Sequence, residues 1–196
     1  MGLSFHYSGS IAKPELLPEL ITEVQEIAKI YQWKYHVFDS EFETDEFGKT
    51  DYNSNIYGIS FTPPECETIS ICFLSNGRMS DIALLTFWGN SENEEEKAYL
   101  YQLSVKTQFA GIKSHQLIIQ LFKHLSKKYF SNFELSDEGM YWETNDIEIL
   151  KKNFKRYTAI LDGFSLAIQT FPVNKSENIE DYMLRLLNVV NDNLKL

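Results

Sequence analysis

The stretch ISICFLSNGRMSDIALLTFW, Ile69–Trp88, decides how this chain is read. Its ends are apolar runs, and between them lies Ser75-Asn76-Gly77-Arg78. Asn-Gly between two apolar runs is a strong hairpin signal, because both residues accept the positive φ of a tight turn. Antiparallel strands are therefore expected over 68–75 and 81–88. The second, IALLTFW, presents apolar residues to both sides. Leu84 and Trp88 then need cover, from the C-terminal helices or from a second subunit, and a homodimer is one way to supply it.

Outward from the hairpin, runs 56–62 and 98–107 extend the meander. Upstream, LSFHYSGSI alternates Leu3, Phe5 and Tyr7 with Ser4, His6 and Ser8, which predicts a half-buried strand. Leu17, Leu20, Val24, Ile27 and Tyr31 have the spacing of an amphipathic helix. WKYHVFD is a further strand. Residues 39–55 carry six acids and one lysine, and 90–97 reads NSENEEEK, so both are expected to be solvated loops.

Downstream, a helix is expected over about 111–130, then a short extended piece, FELSD. Ile147, Leu150, Phe154, Tyr157, Leu161, Phe164, Ile168 and Phe171 follow a 3-4 spacing, a seam that packs on a neighbouring helix. Pro172 ends it. A last helix, roughly 178–194, is expected to bury Ile179, Met183, Leu186, Val190 and Leu194. The order predicts an α+β fold with an antiparallel meander sheet of about five or six strands and helices packed on one face. It resembles the order of TATA-binding-protein-like folds, a likeness that implies no function. A single domain spans 1–196, with 145–196 as a C-terminal helix pair.

The chain has 196 residues, 43% hydrophobic and 14% aromatic, enough for a packed core, and a formal charge of −10. That charge makes nucleic acid an unfavourable partner and a basic protein a favourable one. The basic runs Lys123–Lys128 and Lys151–Arg156 read as solvated helix faces. No run is long and apolar enough to span a membrane, and MGLSFHYSGS has neither the basic start nor the apolar core of a signal peptide. A cytoplasmic location is expected, with Cys66 and Cys72 as free thiols.

SDEGMYWETND, Ser136–Asp146, is the densest chemical stretch. Thr144 or Asn145 is expected to cap the long helix, with Asp146 and Glu148 at its positive end and Tyr141 and Trp142 fixing the chain's entry. Asp137, Glu138 and Glu143 are not needed for that. Carboxylates so placed bind a metal or work as acid and base; the plainer reading is an exposed turn with Gly139 at positive φ and solvated acids. His115 falls in the first turn of the stripe Ile118, Phe122, Leu125 and Tyr129. With Lys106 it completes a candidate catalytic set should it meet Asp137, Glu138 or Glu143; a hydrogen-bonded structural histidine is the alternative. Candidate ligand-binding residues are His6, His36, Gln108, Tyr141 and Trp142, with His6 and His36 on a polar sheet face shared by Ser60, Thr62, Thr68, Ser70, Cys72, Gln102 and Ser104. No metal site is assigned and no cofactor is identified. P-loop, dinucleotide, zincin, esterase and Cys-x-x-Cys motifs are absent from the sequence.

YGISFTPP, VKTQFAG with its following histidine, LSKKYF and DEG-YWET-D, spread over 57–146, resemble a family of uncharacterised bacterial proteins with no established activity. The resemblance implies a small cytoplasmic bacterial protein and transfers no functional residue. The expected function is a non-enzymatic binding or interaction protein, such as the acidic immunity-type partner of a basic toxin. The alternatives are a metal-dependent enzyme near His115 with Asp137, Glu138 and Glu143, or a small-ligand binder on the polar sheet face.

Overall fold

In the computed structural model, which describes residues 2–43, 47–174 and 177–193, the chain forms β1 (Ser4–Ile11), α1 (Leu17–Ile30), β2 (Lys34–Val37), β3 (Tyr57–Thr62), β4 (Ile69–Phe73), α2 (Ile82–Trp88), α3 (Glu94–Tyr99), β5 (Leu103–Lys106), α4 (Gly111–Tyr129), β6 (Phe130–Asp137), α5 (Tyr141–Thr144), α6 (Ile147–Thr170) and α7 (Ile179–Asn193). The class is α+β. Among the described residues no helix is long and apolar enough to cross a membrane.

The strand expected over 81–88 is a helix. Asp81 is extended and its carboxylate accepts the Leu84 amide at 2.7 Å, satisfying one orphan donor of the first turn, and Gly89 follows the last residue. A seven-residue apolar run has no readable period, so the cap, not the apolar content, decided its state. The acidic segment after it is also partly helical. Asn93 caps α3 by accepting the Glu95 amide, and Glu94, Glu95 and Glu96 sit at its positive end. The strand expected over 98–107 shrinks to Leu103–Lys106.

The sheet is therefore not one meander of five or six strands. Two three-stranded antiparallel sheets form, ordered β5-β1-β6 and β2-β3-β4, and the order likened to TATA-binding-protein-like folds is broken at 82–88. The Asn-Gly turn does form, with Gly77 at φ +80° and Phe73 bridged to Met79. Its return arm then leaves for α2 almost at once. While extended it also serves β1: the Met79 amide donates to the Gly9 carbonyl at 2.8 Å and the Ile11 amide to the Gly77 carbonyl at 2.9 Å. Tyr7 joins the sheets a second time, its hydroxyl donating to the Ser70 carbonyl and accepting the Ser70 amide.

Helices do not lie on one face alone. The α1 residues Leu17, Leu20, Val24 and Ala28 pack beneath the second sheet, and the α4 stripe Ile118, Phe122, Leu125 and Tyr129 joins Leu3, Phe5 and Tyr7 of the first. Burying each valine, leucine, isoleucine or phenylalanine among them contributes about 1.5–3 kcal/mol. On the far side of the second sheet, Leu84, Leu85 and Trp88 close over Ile56, Cys72 and Leu74. Leu84 and Trp88 thus are the cover rather than needing it. Ser60, Ser70 and Cys72, expected on a wet face, are buried. The outer face of β5-β1-β6 does meet solvent at His6, Ser104 and Ser136.

The C-terminal helices pair on each other through Phe164 and Ala167 against Tyr182, Leu186 and Val189. The stripe expected for α7 holds at Leu186, which is buried, but not at Ile179 and Met183, which are exposed while Tyr182 is buried. The Val190 side chain and Leu194 lie outside the described residues.

Candidate functional site

The last strand, β6, runs into α5 through Asp137, and the start of α4 lies against this corner. His115 and Asp137 meet there. The His115 Nε2 is 3.1 Å from both Asp137 oxygens, and its Nδ1 is 2.7 Å from the Thr107 hydroxyl. An Nε2–H donated to the carboxylate makes Nδ1 of a neutral imidazole the acceptor of the Thr107 O–H. The result is a hydroxyl–imidazole–carboxylate row, a composition associated with nucleophilic catalysis.

Its environment is not that of an open site. Thr107 and His115 are wholly buried and Asp137 is 2% exposed. The carboxylate also accepts the amides of Gly139 at 2.7 Å, Tyr141 at 2.8 Å and Trp142 at 3.1 Å. Burial pushes the Asp137 carboxyl up, but the His115 hydrogen bond, the field of that imidazole and the Trp142 and Gly139 amides outweigh it. The group is held below its ordinary value as an ionised acceptor. Phe5 and Phe154 each pack against the imidazole in a T-shaped arrangement. Gly139 also lies close to it. A Cβ there would lie 2.6 Å from Leu150 Cδ1 and 3.0 Å from His115 Nε2, so this glycine serves close approach. It does not hold the positive φ expected of it; Met140 does, at +60°.

The other acids are tied to backbone. Glu138 Oε2 accepts the Ser4 amide at 2.7 Å and Glu143 Oε1 accepts the Asp137 amide at 3.1 Å. A turn of solvated acids is therefore corrected for Asp137 and Glu138. The cap of α6 is Asp146, which accepts the Glu148 and Ile149 amides, rather than Thr144 or Asn145. Lys106 stays out of the cluster: its amide donates to Glu67 and its side chain runs along Gly2. Gln108 is consumed by the Leu3 amide and the Thr158 hydroxyl. Tyr141 is buried, its hydroxyl accepting from Gln116 and Gln120, and Trp142 is half-buried against Phe133. His6 and His36 fall on different sheets, so they share no face. His6 lines an open groove of about 460 Å³ with Gln102, Glu134 and Ser136. His36 sits beside Phe38.

Among the described residues no three His, Cys, Asp or Glu side chains come together as metal ligands would, and no buried side-chain nitrogen or oxygen lacks a hydrogen-bond partner.

A second place, not singled out from the sequence as a site, is built by the connection between α2 and α3, by α3 and by residues 50–52. The Tyr52 hydroxyl donates to the Gly89 carbonyl at 2.9 Å, which draws the first acidic loop against the second. Together they line a groove of about 580 Å³ with Asp51, Glu94, Lys97, Arg78 and Tyr101. Around it Glu92, Glu94 and Glu95 are exposed, and Phe87 and Tyr99 project from the same two helices at 76% and 49% exposure. The signal available in the sequence was the pairing of two acidic segments; their convergence depended on α2 being a helix. Compared with known proteins, the chain matches no family model, no curated protein and no solved structure.

Proposed function

We propose that this protein is a non-enzymatic interaction protein whose α2–α3 face binds a basic protein partner, in the manner of an immunity-type factor. The observation that carries the reading is the exposed acidic run Glu92, Glu94 and Glu95 beside the exposed aromatics Phe87 and Tyr99, at the rim of a groove whose own charges, Asp51 and Glu94 with Arg78 and Lys97, balance. Aromatic anchors with a charged rim are the composition of protein-binding surfaces, where the apolar groups supply affinity and the charges steer the encounter. The row of Thr107, His115 and Asp137 is read as structural, because a catalytic group must touch its substrate and all three side chains are cut off from solvent.

The test is capture from a lysate of the protein's own host, comparing the natural chain with a variant carrying Glu92→Lys, Glu94→Lys and Glu95→Lys. A basic protein held by the natural chain at low salt, released at high salt and lost on the variant is the expected result. Retention that is equal on both chains contradicts the reading.

A further inference from the structure

The apolar seam of α6 outlasts the body it packs on. Ile147, Leu150, Phe154 and Tyr157 meet the main core, but past Tyr157 the buried contacts of α6 pass to α7. Those contacts use the seam residue Phe164 with Ala167 beside it, and leave Ile168 47% and Phe171 37% exposed. On α7, Ile179, Met183 and Leu187 form a second stripe, 74%, 41% and 38% exposed. At 3.6 residues per turn this stripe lies roughly 60–140° around α7 from Tyr182, which faces α6. Ile168 lies about 100° around α6 from Ala167 in the same rotational sense. The helices run antiparallel, so equal rotations in opposite chain directions turn both flanks to one side of the hairpin. The two stripes make a single apolar face that continues the surface α6 uses against the body.

We propose that this face is covered by the same face of a second copy, so that two hairpins close into a four-helix bundle. Three observations select a second copy. The seam keeps a 3-4 spacing over its whole length, the repeat that meets another helix side by side rather than a globular surface. The face is nearly free of charge, with Glu180 at its rim, so pairing two copies brings few like charges into contact and a basic partner gains nothing there. The five exposed side chains offer on the order of 500 Å² per chain, close to the ~600 Å² per partner at the lower bound of a stable interface once a polar rim is added. Two-fold pairing of one patch with itself is also the commonest closed arrangement. This face is separate from the α2–α3 face, so either proposal stands without the other.

Sedimentation or light scattering of the full chain over a wide concentration range, at low and at high salt, tests it. The expected mass is twice that of the chain and is not lost at high salt, because the contact is apolar and salt only screens the repulsion between the acidic chains. Ile168→Glu with Met183→Glu yields a monomer of unchanged helix signal, while Leu166→Glu, on the other side of the hairpin, stays dimeric. The milder Met183→Gln, which keeps the helix in any case, weakens association about tenfold or more. A monomer at every concentration overturns the proposal, and so does a dimer that survives the double Glu variant.

Discussion

Asp137 is the residue on which the corner between β6 and α5 turns. It accepts from one imidazole and three amides in a buried setting, and removing its charge leaves each donor poorly matched. Asp137→Asn is expected to destabilise the fold by about 1–3 kcal/mol, the cost of leaving buried donors poorly matched, read by urea unfolding. Glu23 carries a second buried-edge cluster. Desolvation raises its carboxyl, yet hydrogen bonds from Tyr129, Lys128 and His124 outweigh that and lower it to about 2. Both groups are held below the unfolded carboxylate range of ~4, so their stabilisation is present above that range and is lost as pH falls through it, for Glu23 down to about 2. A melting temperature that is level above about pH 5 and drops steadily in acid is expected; Glu23→Gln should flatten part of the drop. At this scale the sequence was half legible. The spacing put His115 at the edge of the core and singled out Asp137, but their meeting needed the 21 residues between them to fold back as α4 and β6.

Helices were legible where their apolar period was long and misread where it was short. α1, α4 and α6 each bury a repeating stripe, and a stripe of that length admits one period. The seven residues of α2 admit two, and the deciding feature was a polar one, Asp81 ahead of the run with Gly89 behind it. Asp81→Ala is expected to cost about 1 kcal/mol, the usual loss for an N-cap, and to loosen the cover over Cys72. The checks are thermal unfolding and faster labelling of the buried Cys72 thiol by a thiol reagent. Unchanged stability and labelling would show that packing of Leu85 alone fixes the helix. The same polar logic explains α3, where acids that read as a loop are well placed at a helix start.

At the scale of the molecule, α2 is also what makes the acidic face. As a strand it would have carried residues 81–88 into the sheet and left 90–97 as a hairpin loop; as a helix it lies over the second sheet and brings Glu94 beside Asp51. The α+β class and the C-terminal helix pair followed from the apolar pattern. The split into two sheets did not, because it depends on a return arm of a few residues at Arg78–Met79 that serves both. The proposed function rests on this arrangement. The decisive measurement is the dissociation constant of the captured basic partner, by calorimetry, across a salt series for the natural chain and for the chain with Glu92, Glu94 and Glu95 changed to Lys. Affinity should fall steadily as salt rises for the natural chain, and be weak and much less salt-dependent for the variant. Equal affinity for both chains, level across the series, would contradict binding at the α2–α3 face.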